Sequence, residues 1–257
     1  MKAFRIPNVT GESPEAAQLW ELGCLGVVED PGALVAYFDD ERPLPLEGTW
    51  EAVPERDYVA EYQAGLEPVR VGRLVVAPSH HEVAAKDGDV IIWLDPGSAF
   101  GTGHHETTRL ALAALQGRDL RGRSVLDVGS GTGLLTIAAD ALGARSAYGV
   151  DVDAATIPVA RQNAHRNLSR ARFAVGSVDY AELPGQFDVV VANLYAELHA
   201  QLMSQYQRRL LPGGRLYLTG ILTRLSHVVT EAVPEGLRLG AEVQDGEWTL
   251  LELTRTA

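Results

Sequence analysis

At 257 residues with 46% apolar side chains, the chain is long enough for one large domain plus a small one and rich enough to fill a core. A formal net charge of −12 argues against an extended nucleic-acid surface and suits either a basic protein partner or plain solubility. The single cysteine, Cys24, excludes an intrachain disulfide; without a signal peptide or an apolar run near the roughly twenty residues of a membrane span, a cytoplasmic location is expected.

Residues 1–53 read as a small α+β unit. Lys2 to Ile6 suits a strand, and Ser13-Pro14-Glu15 places a cap, a first-turn proline and an acid ahead of the amphipathic helix carrying Ala16, Leu19 and Trp20. Leu25–Glu29 and Leu34–Phe38 alternate around Asp30-Pro31-Gly32 as a hairpin, and Thr49–Val53 supplies a further strand. A helix on a small antiparallel sheet follows, of the ferredoxin-like kind. No catalytic cluster shows in it, so its role is either an appendage or substrate recognition. Residues 54–72, with Tyr58, Tyr62 and Leu66, predict a helical connector ended by Pro68.

Residues 73–257 form the second domain. Leu74–Pro78 and Val90–Leu94 are strands, and the second runs into Asp95-Pro96-Gly97-Ser98-Ala99-Phe100-Gly101-Thr102-Gly103-His104-His105-Glu106-Thr107-Thr108 before a helix over Arg109–Leu115. Such a loop can fold over a ligand, with Phe100 as an apolar wall and the Thr107 or Thr108 hydroxyl offered to a carboxylate. The histidine pairs His80-His81 and His104-His105 lack helical i, i+4 spacing or zinc-spaced cysteines, so they read as helix-start and loop polar residues, and no metal is expected.

The strand Ser124–Val128, the turn Gly129-Ser130-Gly131-Thr132-Gly133, the helix Leu134–Leu142 and the strand Ala147–Val150 make one complete ligand cradle. The glycines let the backbone approach a ligand, the helix start favours an anionic group, and Asp151 closes the second strand where a carboxylate can accept from both ribose hydroxyls. The ligand class is therefore a nucleoside. The dinucleotide fingerprint would require glycine where Leu134 stands, which disfavours a nicotinamide cofactor. The G-x-G-x-G pattern instead resembles the first motif of class I S-adenosylmethionine methyltransferases.

Further helices are predicted over Asp153–Asn167, Leu198–Leu211 and Leu222–Ala232, and strands over Arg172–Val175, Phe187–Ala192 and Arg215–Thr219, with Pro212-Gly213-Gly214 as a turn. Gly176 to Asp179 follows a strand end where an adenine contact would lie. Leu237–Val243 and Trp248–Leu253 close the chain as a hairpin. Alternation of strand and helix followed by a hairpin predicts an α/β fold, a doubly wound, mostly parallel, seven-stranded Rossmann-like sheet with an antiparallel edge.

The segments DPGSAFGTGHHETT, VLDVGSGTGLLTIAA and NLYAEL, in that order, resemble the bacterial methyltransferases that modify large-subunit ribosomal protein eleven. The resemblance covers Asp95 to the C-terminus, and the layout of the N-terminal unit agrees. It implies transfer of methyl groups from S-adenosylmethionine to lysine ε-amines and the N-terminal α-amine of that basic protein; a monomer is expected, with no direct nucleic-acid binding given the charge and no membrane binding. It further implies that Thr107 or Thr108 and Gly129 contact the cofactor, Asp151 its ribose, and that Asn193 sits beside the transferred methyl; with Phe100, Gly131 and Gly133 from the loop and cradle, these, Asn193 included, make the expected cofactor-binding set. Asn193 and the Leu194 carbonyl would hold the attacking amine as acceptors. Tyr195 would either narrow the entrance or simply pack, packing being the favoured reading, and Glu197 is expected to be a solvated helix residue. Ser130 stands where many relatives carry cysteine, and Tyr58 and Tyr62 where tryptophans are common. Two rival readings stay open: an rRNA or DNA amine methyltransferase, disfavoured because N-P-P-Y is usual where Asn193-Leu194-Tyr195-Ala196 stands, and a non-catalytic cofactor-binding module for ribosome assembly.

Overall fold

The computed structural model describes residues 2–11, 13–52, 65–95, 99–180 and 182–256. The chain divides into two compact units, Met1–Tyr58 and Val59–Ala257.

In the first unit, β1 (Lys2–Pro7), α1 (Pro14–Glu21), β2 (Gly26–Asp30), β3 (Ala33–Phe38) and β4 (Thr49–Ala52) follow in sequence. The sheet order is β2-β3-β1-β4, with every neighbouring pair antiparallel. Alternation in β1 and β3 turns Phe4, Ile6, Leu34, Ala36 and Phe38 to one face, where they bury against Ala16 and Leu19 of α1. Trp50 packs on Phe4 and edge-on to Phe38, with ring centroids 5.1 and 5.5 Å apart. Ser13 stands at the start of α1, but its hydroxyl accepts from the Thr10 amide at 3.1 Å and caps nothing; Pro14 at the first turn starts the helix unaided. No second helix links β3 to β4 in the described residues 39–48.

The connector expected over 54–72 lies for the most part outside the described residues. Past Pro68, where the expected helix has ended, Val69–Val71 forms β5, which turns back through Gly72 to pair antiparallel with β6 (Leu74–Ala77). β7 (Val90–Trp93) adds in parallel, making a separate three-stranded sheet β5-β6-β7.

The large sheet has the order β10-β9-β8-β11-β12-β14-β13. Its strands are β8 (Ser124–Val128), β9 (Ser146–Asp151), β10 (Arg172–Val175), β11 (Phe187–Asn193), β12 (Leu210–Leu222), β13 (Leu237–Asp245) and β14 (Trp248–Arg255). All neighbours are parallel except around β14, which runs antiparallel to both β12 and β13. The helices are α2 (Glu106–Gln116), α3 (Leu134–Ala141), α4 (Thr156–Arg166), α5 (Ala196–Arg209) and α6 (Ser226–Glu231). The core on one sheet face gathers α2, α3 and α4, and that on the other gathers α5 and α6, so the winding is double. Burial on both faces explains the nearly unbroken apolar run of β11.

Two elements depart from the sequence expectation. Strand β12 begins at Leu210 and pairs with Phe187 there; the Pro212-Gly213-Gly214 turn is absorbed as a register shift before pairing resumes at Arg215. The helix expected from Leu222 is delayed, because β12 runs to Leu222 and a short 3-10 turn, Thr223–Leu225, precedes α6. The strand order reverses between β8 and β11, and a crevice for a ligand is expected at the carboxyl ends of those two strands.

Candidate active site

The carboxyl ends of β8 and β11 do line one cavity, of about 690 Å³. On the β8 side lies the glycine cradle. A Cβ on Gly131 would stand 2.4 Å from the Phe100 carbonyl oxygen, and one on Gly129 would stand 2.7 Å from Leu194 Cδ2, so any side chain at either position would block the close approach of these segments. Asp151, at the end of β9, accepts from the Gly131 amide at 2.8 Å and from the Asp153 amide at 3.0 Å. Each of its oxygens keeps a second lone pair, as recognition of ribose hydroxyls requires. These open backbone positions and this carboxylate fit the nucleoside part of a methyl donor. Gly176 and Ser177 line the cavity beyond the end of β10.

The loop before α2 is stapled to the cradle. The Thr132 amide donates to Phe100 O at 3.0 Å and its hydroxyl to Gly101 O at 2.8 Å. Asn163 in α4 holds the loop's other root, with Oδ1 accepting from the Asp95 amide at 3.1 Å and Nδ2 donating to Thr132 O at 3.0 Å. At the far end, His105 Nδ1 accepts from the Thr107 amide at 3.3 Å and caps α2. The same nitrogen lies 2.9 Å from Thr107 Oγ1, which accepts from Asn193 Nδ2 at 3.1 Å. The His105 ring is wedged between Phe100 and Trp248, at centroid distances of 5.7 and 4.9 Å. Arg109 pins the β13–β14 hairpin here, with its guanidinium 2.8 Å from Asp245.

Asn193 ends β11 in register with Thr219 of β12. Because its amide nitrogen points to Thr107, its Oδ1 turns the other way, toward Gly220. A Cβ on Gly220 would stand 2.8 Å from Asn193 Oδ1 and 2.4 Å from the Leu194 carbonyl oxygen, and the residue takes φ +85°. Two carbonyl oxygens thus converge on one spot of the cavity wall, and glycine at 220 keeps that spot open.

Two buried titratable groups flank the site. Asp127, under the cradle, accepts from Thr136 Oγ1 at 2.7 Å, while Oδ1 has no partner among the described residues. Loss of hydration pushes its carboxyl up to about 7, the Thr136 hydrogen bonds opposing. Burial pushes the His199 imidazole down to about 4, against the opposing pull of the Thr219 and Leu194 carbonyls.

Sequence comparison accords with this geometry. The family profile described as "Ribosomal protein L11 methyltransferase (PrmA)" matches residues 26–256. The chain belongs to this family. It is 45% identical to the ribosomal protein L11 methyltransferase of Deinococcus radiodurans over 254 residues, and 46% identical to that of Thermus thermophilus over 240, covering 92% of each chain in both cases. A solved ribosomal protein L11 methylase from Lactobacillus delbrueckii subsp. bulgaricus superposes with a TM-score of 0.64 at 29% identity, over 75% of this chain and all of that one. The fold is that of an α/β class I methyltransferase, and the cofactor of the class is S-adenosylmethionine.

Within this family member, the cavity brings together Phe100, Thr107, Gly129, Gly131, Asp151, Asn193 and Leu194 of the expected site residues. Two others lie elsewhere. Thr108 does not line the cavity: it faces into α2's packing, 1% exposed, since the residue after Thr107 on a helix points about 100° away. Gly133 starts α3 at φ +84° and packs against Phe173 and Ala160, supporting the cradle from behind. Tyr195 does not pack; at 59% exposure it stands at the cavity rim. Glu197 is exposed, as expected. Sequence reading missed Trp248, Gly220 and His199; the reading of His104-His105 as helix-start and loop polar residues fits His105, which caps α2. Only Gly220 carried a signal, a glycine just past the apolar run of a central strand. Pro96, Gly97 and Ser98 of the loop signature lie outside the described residues. No metal-holding group of three or more His, Cys, Asp or Glu occurs among the described residues.

Proposed function

We propose that the protein transfers methyl groups from S-adenosylmethionine to lysine ε-amines and the N-terminal α-amine of ribosomal protein L11, with Asn193 and Leu194 holding the attacking nitrogen. The observation that carries this reading is the convergence of Asn193 Oδ1 and the Leu194 carbonyl beside Gly220, in the same cavity as Asp151 and the glycine cradle. An amine that donates N–H bonds to two such acceptors presents its lone pair in a fixed direction. S-adenosylmethionine, when bound, supplies an electrophilic methyl on a sulfonium.

Asp151 and the Gly129–Gly131 backbone would hold the donor's nucleoside. Thr107 fixes the Asn193 amide so that its oxygen, and not its nitrogen, faces the amine. Asn193 takes no proton itself; it orients. The apolar side chains of Phe100, Leu194, Leu198 and Trp248 on the cavity wall lower the effective dielectric, which favours the neutral form of a lysine whose ordinary pKa is about 10.4.

Residues 1–53 hold 10 acidic against 3 basic side chains, a net −7 of the chain's −12. Such a concentration of negative charge suits docking of a basic ribosomal protein, so we assign substrate recognition to this ferredoxin-like unit, with residues 54–72 as the connector. The same charge disfavours direct nucleic-acid binding. We place the enzyme in the cytoplasm as a monomer.

Mass spectrometry of L11 after incubation with the enzyme and S-adenosylmethionine tests the proposal. Mass gains of 14 Da steps, about one per methyl, are expected on lysine and N-terminal peptides, as methyl transfer to nitrogen requires; unmodified amines would refute it.

A further inference from the structure

His199 is fully buried in α5, does not itself line the cavity although its imidazole also faces the Leu194 carbonyl, and has no part in the chemistry just described. A buried imidazole sacrifices hydration that a leucine or methionine in the same space would not. What it gains is visible in its two hydrogen bonds. Nε2 lies 2.8 Å from the Thr219 carbonyl oxygen, which can only accept, so Nε2 carries the hydrogen. Nδ1 is then the acceptor, and the Tyr206 hydroxyl donates to it at 3.3 Å.

The Thr219 carbonyl receives a second bond, from the Leu194 amide at 2.9 Å. It belongs to the peptide that joins Thr219 to Gly220. Its orientation therefore fixes where Gly220 lies against Asn193 Oδ1 and Leu194 O, the two oxygens that crowd its open side. One carbonyl ties the acceptor turn to the glycine opposite it, and the imidazole aims that carbonyl.

We infer that His199 is a positioning residue for the methyl-accepting amine, acting through the Thr219 carbonyl to set the spacing between Gly220 and the Asn193–Leu194 oxygens. This rests on the reading of Asn193 and Leu194 as amine acceptors. A residue that only filled the core would be replaceable by an apolar side chain of like volume with no effect on turnover per folded molecule.

The test compares wild type with H199M, H199Q, the double variant H199M/Y206F and N193A, using methyl transfer to L11, calorimetric binding of S-adenosylmethionine and thermal unfolding. Glutamine keeps a donor near the Nε2 position, whereas the double variant removes both hydrogen-bond partners and leaves no orphaned hydroxyl. The expected result is kcat for H199Q within about threefold of wild type, kcat for H199M and the double variant down about tenfold or more, and KM and affinity for S-adenosylmethionine within about twofold throughout. Wild-type kcat in the double variant, or an H199Q as slow as H199M, overturns the inference. Should N193A itself turn over normally, the acceptor reading fails; an inactive N193A beside a fully active H199M/Y206F sinks the positioning role alone.

Discussion

Replacing Gly220 by alanine puts the acceptor geometry under direct strain. The new Cβ would stand 2.4 Å from the Leu194 carbonyl oxygen, a backbone atom that cannot swing aside as a long side chain would, and 2.8 Å from Asn193 Oδ1, on a side-chain amide held in place by Thr107. Relief to an ordinary contact requires the turn to move by close to 1 Å, and such a misplacement costs about a hundredfold in rate, or ~2.7 kcal/mol of barrier. Alanine at φ +85° adds about 1–2 kcal/mol of backbone strain, which lowers the melting point by several degrees. Radiolabelled methyl transfer to L11, with calorimetry of S-adenosylmethionine in parallel, separates the effects. The expected outcome is a kcat about a hundredfold lower with cofactor affinity changed by about threefold at most, because Asp151 and the glycine cradle are untouched. A G220A enzyme that melts normally and turns over at the wild-type rate would show that the two oxygens do not hold the substrate.

Other consequences follow from single contacts. Asp151→Ala removes the acceptor of the Gly131 amide and of the ribose, so the Kd for S-adenosylmethionine should rise about 10- to 100-fold by calorimetry; an unchanged Kd would move the nucleoside elsewhere. Asp127 titrates near 7 in the fold, against about 3.9 unfolded, so its contribution to stability is complete below about pH 4 and lost as pH rises through 7. Thermal unfolding of D127N and wild type at about pH 5 and pH 8.5 should therefore show the difference moving in the variant's favour at the higher pH. His199, depressed to about 4, acts with the opposite sign, but both proteins contain it and it cancels. A difference that stays flat would contradict the buried, proton-holding Asp127.

The local signals proved legible where one short segment contains all the geometry. The cradle from Ser124 to Asp151 is such a segment: its strand, glycine turn, helix and closing acid are contiguous, and they fold as read. The acceptor turn was legible only by half. Asn193 and Leu194 stood out through the family resemblance, but their partners come from chain positions more than twenty residues away, brought in by the pairing of β11 with β12 and of β12 with β14. No local pattern distinguishes Trp248 from any tryptophan in a strand, and Gly220 offers only its place just past an apolar run. His199 lies on a helix rich in polar residues, and only tertiary packing buries it. Thr107 lines the cavity and Thr108 does not, a matter of helix phase that a sequence alone leaves undetermined until the cap residue is known. At 69–71, past the Pro68 that ends the expected helix, the sequence predicts no element, and the strand there is defined by its pairing with β6.

The central claim is that Asn193 orients the amine and does not hold the cofactor. Asn193→Ala, assayed by calorimetry with S-adenosylmethionine and by labelled methyl transfer to L11, tests it most directly. The account predicts cofactor binding within about threefold of wild type and loss of most methyl transfer, about a hundredfold or more. Unchanged turnover in N193A would contradict it.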